Sequence, residues 1–488
     1  MLFEPLFAHA AAQPDEVAIV DDHGQYTRAQ LAAMAAGLGM YLSAQTTKPH
    51  VGLLLPASAG FVASFYGTLL AGKSVVPINF LLGERETQHV ITDSGIDTIV
   101  TIPLLAGKLK GGPLNILDLT TLPKPPPGAI APKFPQKLSN DLAVIMYTSG
   151  TSGLPKGVML TYGNLASDVT AAIEHAQLRG SHRFLGIIPL FHSTGMLATM
   201  LAPIHLGSRT VYLGRFSPVA TVKAIREHQI SVMAAVPSMY GAMIRLKDAG
   251  PDDVKSLYAA ISGGEPLPAN VREGFEQKFN QPIYEGYGLT ETIGPVAFNT
   301  PQARQPGSVG RPIPGVEIRI ADDDGNALAQ GQTGEIWIKG PMIMEGYYNL
   351  PDATADAKTA DGFFKSGDLG MIDAQGFVHV TGRKKDLIIV AGEKVPPREI
   401  EEVLMKHPAV AEAAVLGKKD ESRGEVVVAF VTLKEGQQLN VVDLRDFARD
   451  QGLVNWKIPR EVFIVKDLPR SPTGKVLKRV LAEQLAQA

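Results

Sequence analysis

Short apolar runs alternate with longer segments of helical character through roughly the first 300 residues. The stretch VGLLLP (51–56), FVASFYGTLLAG (61–72), SVVPIN (74–79) shows the pattern in miniature. A compact apolar run, a longer segment and a second run rich in β-branched residues predict strand, helix and strand. Residues 184–207 likewise predict a buried strand, a turn and a helix. Both stretches are nearly uncharged, and about 20 apolar residues would span a bilayer. Pro56, Ser58, Gly60, Ser64, Gly67 and Thr68 interrupt the first, and Pro189, Gly195 and Pro203 the second. Buried elements rather than membrane spans are therefore expected. Repetition of this unit predicts α/β layers with largely parallel sheets.

The pattern changes near Thr300. GVEIRI (315–320), GEIWIKG (334–340) and GFVHVTG (376–382), with the turn sequence DDDGN (322–326), predict short antiparallel strands. From Asp386 onward, IIV, VAEAAVLG, VVVAFVTL and EVFIV predict strands around two or three amphipathic helices, one with Ile400, Val403 and Leu404 on its apolar face. PKPPPGAIAPKFP (123–135) predicts an exposed connector.

The length of 488 residues implies more than one domain. A formal net charge of -3 gives no electrostatic footprint for nucleic acid or an anionic membrane, so small molecules or proteins are the expected partners. The chain has no cysteine, which excludes disulfides, thiolate metal sites and a cysteine nucleophile. Any thioester chemistry must then use a thiol brought by a substrate. The N-terminal MLFEPLFAHAAAQPDE lacks a basic region before its apolar residues, and a cytoplasmic location is expected.

Four segments carry candidate chemistry. YTSGTSGLPKG (147–157) follows the apolar run LAVIM. Glycines let backbone N–H groups approach an anion, hydroxyls add donors and Lys156 adds charge. A solvated turn has the same composition, and the spacing does not fit G-x-x-x-x-G-K-[ST]. YEGYGLTET (284–292) offers rings to stack on a base, hydroxyls for phosphate and carboxylates for Mg2+. It reads equally well as a strand end and turn. FKSGD (364–368) and GRKKD (382–386) pair a carboxylate suited to ribose hydroxyls with an arginine suited to phosphate. By themselves they are ordinary turn chemistry. RSPTGK (470–475) places Lys475 at the start of the amphipathic VLKRVLAEQL. Alone, that lysine is a solvated charge.

Taken in order, these segments resemble the adenylate-forming family: acyl-CoA synthetases, coumarate ligases, firefly luciferase and the adenylation domains of peptide synthetases. PLFHS (189–193), EGYGLTET (285–292), FKSGDLG (364–370), GRKKDLIIVAGEKVPPREIEEVL (382–404) and PTGKVLKR (472–479) resemble its core motifs, and the likeness runs from about residue 15 to the end. The resemblance implies an α/β fold. A large N-terminal AMP-binding domain (1–384) would hold layered sheets and a small β-barrel-like, β-rich part over about 300–384. A hinge at Lys385 would lead to a small α+β C-terminal domain (386–488). It also implies ATP, Mg2+ and coenzyme A as cofactor and co-substrates. A carboxylate attacks the α-phosphate and releases pyrophosphate, then a thiol takes the acyl group.

The same resemblance implies roles for individual residues. Thr148, Ser149, Gly150, Thr151, Ser152, Gly153 and Lys156 would grip the β- and γ-phosphates. Gly263, Gly264, Glu265, Glu285, Gly286, Tyr287 and Gly288 would line the adenine site, Tyr287 stacking on the base. Thr290 would meet the α-phosphate, and Glu291 with Thr148 would form the Mg2+ site. Asp368 would hold the ribose hydroxyls, with Arg383 supporting ribose or phosphate. Lys475 would bridge the carboxylate and the α-phosphate. Gly392 would let pantetheine pass after rotation about Lys385, which favours thioester formation over a pure acyl-AMP ligase. Glu265 and Pro396 depart from the residues common at their positions.

For the acid, His192 to Met196, Pro237 to Tyr240 and the region of Gly286, Gly288 and Pro295 are expected to line the pocket. His192 would orient the carboxylate or gate the pocket, or else be a satisfied core residue. Acetate-specific relatives close the pocket with a tryptophan, whereas this chain has Gly288 near that place. Malonate-type relatives tend to carry a basic residue where Gly286 sits. A medium- or long-chain fatty acid is therefore expected, with an aryl acid, or loading of a carrier protein, as alternatives. The protein is expected to be a monomer or homodimer.

Overall fold

The computed structural model describes residues 2–109, 114–122, 134–148, 154–470 and 476–487. The chain packs as two compact units: Met1–Ile318 with Ile338–Phe364, and Arg319–Trp337 with Lys365–Ala488. The expected hinge residue, Lys385, lies within the second of these, in the short turn Lys384–Asp386.

The first unit is built on two sheets. One has seven strands among the described residues, in the order Gly346–Tyr347, Lys156–Thr161, Leu142–Thr148, Ser74–Pro77, His50–Leu54, Thr98–Thr101, Asn115–Asp118. The strands from Leu142–Thr148 to Asn115–Asp118 run parallel, and Leu142–Thr148 turns back on Lys156–Thr161 as an antiparallel hairpin. The second sheet has nine strands among the described residues. Its parallel body includes Arg183–Gly186, Val232–Ala235, Ala259–Ser262 and Ile283–Gly288, and Pro295–Phe298 returns antiparallel on one side.

The β-α-β reading of 51–79 holds. His50–Leu54 and Ser74–Pro77 pair in parallel, joined by the helix Ala59–Leu70. Ser58 caps that helix by accepting from the Phe61 N–H. Its second glycine has a packing cause: a Cβ on Gly67 would lie 2.7 Å from Leu38 Cβ of the helix Arg28–Gln45. The interruption that argued against a membrane span is thus a helix crossing. Among the described residues no helix is long and apolar enough to cross a membrane. The second uncharged stretch folds as the strand Arg183–Gly186, a short helix Ser193–Met196, a widened π-turn Leu197–Leu201 and the helix Ala202–Leu206. Pro203, which has no N–H to give, sits where the widened turn returns to α geometry.

In the second unit the β-rich pattern forms a four-stranded sheet in the order Glu317–Ala321, Gly334–Lys339, Phe364–Ile372, Val378–Arg383. The last part of the chain forms a sheet in which Gly424–Leu433 lies between Val410–Asp420 and Ile388–Val390. Glu461–Ile464 joins Gly424–Leu433 in parallel. The helix Pro397–Leu404 buries Ile400, Val403 and Leu404 against Ile388, Val415 and Val427, as the 3.6-residue period predicts.

Candidate active site

In open α/β sheets, ligands sit beyond the carboxyl ends of parallel strands. Ala259–Ser262 and Ile283–Gly288 are parallel neighbours with Ser262 opposite Glu285. This register brings Gly263, Gly264 and Glu265 out beside Gly286, Tyr287 and Gly288. Gly264 has φ +83°, a left-handed conformation that favours glycine. Glu285 is buried, and its carboxylate accepts from the Leu267 N–H at 3.3 Å, tying down the segment after Glu265. Tyr287 is also buried.

The next turn is strained. Leu289 N–H donates to Thr292 Oγ1 at 2.9 Å and closes the short helix Thr290–Thr292. Ile293 follows with φ +67° while fully buried, an outlier for a β-branched residue. Space is short here as well. A Cβ on Gly288 would lie 1.9 Å from the Gly294 carbonyl oxygen. A Cβ on Gly294 would lie 2.5 Å from an oxygen of the buried Asp168. Any side chain at Gly288 must therefore first displace backbone.

The half-buried Glu291 is held twice from one segment. Tyr347 Oη donates to Glu291 Oε1 at 2.8 Å, and Met344 N–H donates to the Glu291 carbonyl at 2.8 Å. Lys156 Nζ lies 5.1 Å from the centroid of the Tyr347 ring. Burial, and then the Glu291 carboxylate, push the Tyr347 phenol far above its ordinary pKa, so it stays a donor. Thr148 faces Lys156 across the hairpin that carries the Gly/Ser/Thr loop. The flank of that loop is braced: His89 Nε2 donates to the Pro155 carbonyl at 2.9 Å, and Tyr147 Oη donates to Asp93 at 2.6 Å. Ser149, Gly150, Thr151, Ser152 and Gly153 lie outside the described residues, as does Lys475.

Among the described residues no three His, Asp or Glu side chains gather as a metal site. Mg2+ does not need such a cage, because it binds through one or two carboxylates plus substrate phosphates. Glu291, with Oε1 engaged by Tyr347 and Oε2 without a hydrogen bond among the described residues, fits that donor set.

In the second unit Asp368 and Arg383 face each other on antiparallel strands, with Arg383 Nε 2.9 Å from Asp368 Oδ1. Asp368 is 4% exposed, and its N–H donates to Ser366 Oγ at 3.0 Å. Gly367, with φ +72°, makes the tight bend before it and donates to Glu335, which also takes Lys384 at 3.1 Å. Lys385 has its pKa lowered, by burial first and then by Arg383. Ala391 and Gly392 are both left-handed, at φ +52° and +89°.

Among residues named for the acyl pocket, the backbone carbonyl of half-buried His192 accepts from the Met196 N–H at the start of the short helix. Gly195 packs against backbone, since a Cβ there would lie 2.3 Å from the Pro189 carbonyl oxygen. Tyr240 is wholly buried with its hydroxyl given to the Ile261 carbonyl at 2.9 Å, within the core. Sequence reasoning missed Tyr347, His89 and Asp168. Tyr347 lies in GYYN, 56 residues from Glu291, and no periodicity marks such a partnership.

The AMP-binding enzyme family model matches residues 6–348, and the model of the AMP-binding enzyme C-terminal domain matches residues 399–475. A long-chain-fatty-acid–CoA ligase of Bacillus subtilis (strain 168) is 34% identical over 97% of this chain and 93% of its own length. A feruloyl-CoA synthase of Amycolatopsis sp is 32% identical, over 96% of each chain. The crystal structure of ATP-bound MatB from Rhodopseudomonas palustris matches with a TM-score of 0.91 at 29% identity, covering 99% of this chain and 98% of that one. The chain belongs to the AMP-binding enzymes, the adenylate-forming acyl-CoA synthetase family. Within that family its class is acid–thiol ligase. The two curated relatives are named for different acids, so family membership defines the reaction type and not the acid.

Proposed function

We propose that the protein makes an acyl-CoA from a carboxylic acid, ATP and coenzyme A in two half-reactions. In the first, a carboxylate oxygen attacks the α-phosphorus and pyrophosphate leaves. In the second, the thiol sulfur attacks the acyl carbon, AMP leaves with the former carboxylate oxygen, and the thiol proton is lost to solvent. The protein supplies no nucleophile. Its task is to orient the reactants and to offset charge on the transferring phosphate.

The observation that carries this reading is the Lys156–Tyr347–Glu291 arrangement at the flank of the Gly/Ser/Thr loop. A cation and a carboxylate held by one ring support a site for a polyphosphate and its Mg2+. Thr148 and Glu291 hold Mg2+, which neutralises phosphate charge when bound. The loop from Ser149 to Gly153 and Lys156 grip the outer phosphates, and Thr290 meets the α-phosphate. Gly263, Gly264, Glu265 and Glu285 to Gly288 receive the adenine. Asp368 receives the ribose hydroxyls, with Arg383 fixing the orientation of its carboxylate. Lys475 serves adenylation, and Gly392 serves thioester formation after rotation about Lys385. His192 orients the acid.

The acid is a medium- or long-chain fatty acid. The feruloyl-CoA synthase relative supports an aryl acid as the second reading. The test is pyrophosphate release across acids of increasing length and aryl acids, with and without coenzyme A. Acid-dependent release, with a thioester only when coenzyme A is present, is expected. Release with no CoA-dependent thioester would refute the synthetase reading.

A further inference from the structure

We propose that Tyr347 is a positioning residue that keeps Lys156 and Glu291 apart and aimed, and so sets the metal requirement of adenylation. This rests on the proposed function for the identity of the ligands, Mg2+ and ATP. Its structural basis is independent of the acid.

Tyr347 is fixed by its backbone. It opposes Val158 on the strand that begins at Lys156. Glu345 N–H donates to the Met159 carbonyl at 2.9 Å, and Tyr348 N–H donates to the Gly157 carbonyl at 2.7 Å. Its own N–H is taken by Thr354 Oγ1 at 2.8 Å. The side chain then reaches two charged groups from different parts of the chain. The ring face meets the Lys156 ammonium at 5.1 Å, and the hydroxyl holds Glu291 Oε1 at 2.8 Å.

A lysine and a glutamate served by one small ring would ordinarily pair with each other, because partly buried opposite charges attract strongly. Among the described residues no ion pair joins Lys156 and Glu291. The aromatic ring instead satisfies the ammonium by a cation–π contact. The phenol satisfies one carboxylate oxygen and leaves the other open. Each charge is thus held in place without being cancelled. The lysine remains free for phosphate oxygens and the carboxylate for a divalent cation. Packing explains the ring but not the hydroxyl, since phenylalanine fills the same space.

Two variants separate the parts. Tyr347→Phe keeps the ring and loses the hydroxyl, and Tyr347→Leu loses both. The first readout is Mn2+ binding in the presence of a non-hydrolysable ATP analogue, by electron paramagnetic resonance titration. The second is pyrophosphate release as a function of Mg2+, ATP and acid. Tyr347→Phe is expected to weaken metal binding on the order of tenfold, the worth of a hydrogen bond to a charged group. Its half-saturating Mg2+ should rise in step while the KM for the acid stays put. Tyr347→Leu should add a rise in the KM for ATP, as Lys156 collapses onto Glu291. Unchanged metal binding in Tyr347→Phe overturns the inference. So does an equal weakening of metal, ATP and acid in both variants, which marks a structural role. If no acid releases pyrophosphate from the unaltered protein, the proposed function fails, and the titration still decides the role of Tyr347.

Discussion

Asp168 sits in the helix Tyr162–His175 with no exposed surface, and neither carboxylate oxygen has a hydrogen-bond partner among the described residues. Its surroundings include Gly294, which lies beside Leu197 and follows the strained Ile293. Burial alone holds the carboxyl well above the ordinary carboxylate range. A folded-state pKa above the unfolded value of about 3.9 means that folding favours the protonated acid. The stability this group allows is fully present below that unfolded value. It falls by about 1.4 kcal/mol per pH unit as pH rises toward the folded pKa. Asparagine has nearly the same shape and cannot ionise. The stability of Asp168→Asn relative to the parent should therefore improve as pH rises above the unfolded value, by up to about 1.4 kcal/mol per pH unit until the folded pKa is reached. Each such unit is a large step against typical stabilities of about 5–15 kcal/mol. The assay is urea denaturation of both proteins at pH 5, 6 and 7, followed by circular dichroism, taking the difference at each pH. A difference that stays constant with pH would refute the claim that Asp168 is carried as the neutral acid.

Other outcomes follow from the site. Lys475→Ala should abolish adenylation while thioester formation from supplied acyl-adenylate survives; equal loss of both half-reactions would refute its assigned role. Asp368→Ala removes the partner of Arg383 as well as the ribose ligand, and the KM for ATP should rise roughly ten- to a hundredfold with the KM for the acid little changed. Gly288→Ala forces a Cβ to 1.9 Å from the Gly294 carbonyl oxygen, so soluble yield and melting temperature should fall, and activity should drop for all acids alike. A clean change in acid preference at full stability would show that Gly288 is simply pocket lining.

Much of the fold was legible because its signals are local. The run VGLLLP–FVASFYGTLLAG–SVVPIN announced a β-α-β unit, and Ile400, Val403 and Leu404 announced a buried helix face; both are present. The widened turn Leu197–Leu201 was not legible, because it depends on how Pro203 meets the preceding helix. Candidate site residues were named from contiguous motifs, which works where a loop or strand end presents several groups together. The pairing of Asp368 with Arg383 depends on strand register, and that of Glu291 with Tyr347 on a two-residue strand added at a sheet edge. Asp168 was overlooked because an acid in an amphipathic helix pattern reads as part of the solvated face. Gly286 and Gly288 were read as the absence of bulk in a pocket. The tight approach of Gly288 to the Gly294 backbone gives it a second, steric reason to be glycine.

The central claim is that the acid is activated by bonding to the α-phosphorus of ATP. It is tested most directly by supplying a carboxylic acid labelled with 18O in both carboxylate oxygens, together with ATP, Mg2+ and coenzyme A. An acyl-adenylate passes one labelled oxygen to AMP when the thiol displaces it, so mass spectrometry should find one 18O in AMP and none in pyrophosphate. Unlabelled AMP, or label in inorganic phosphate or pyrophosphate, would contradict the account.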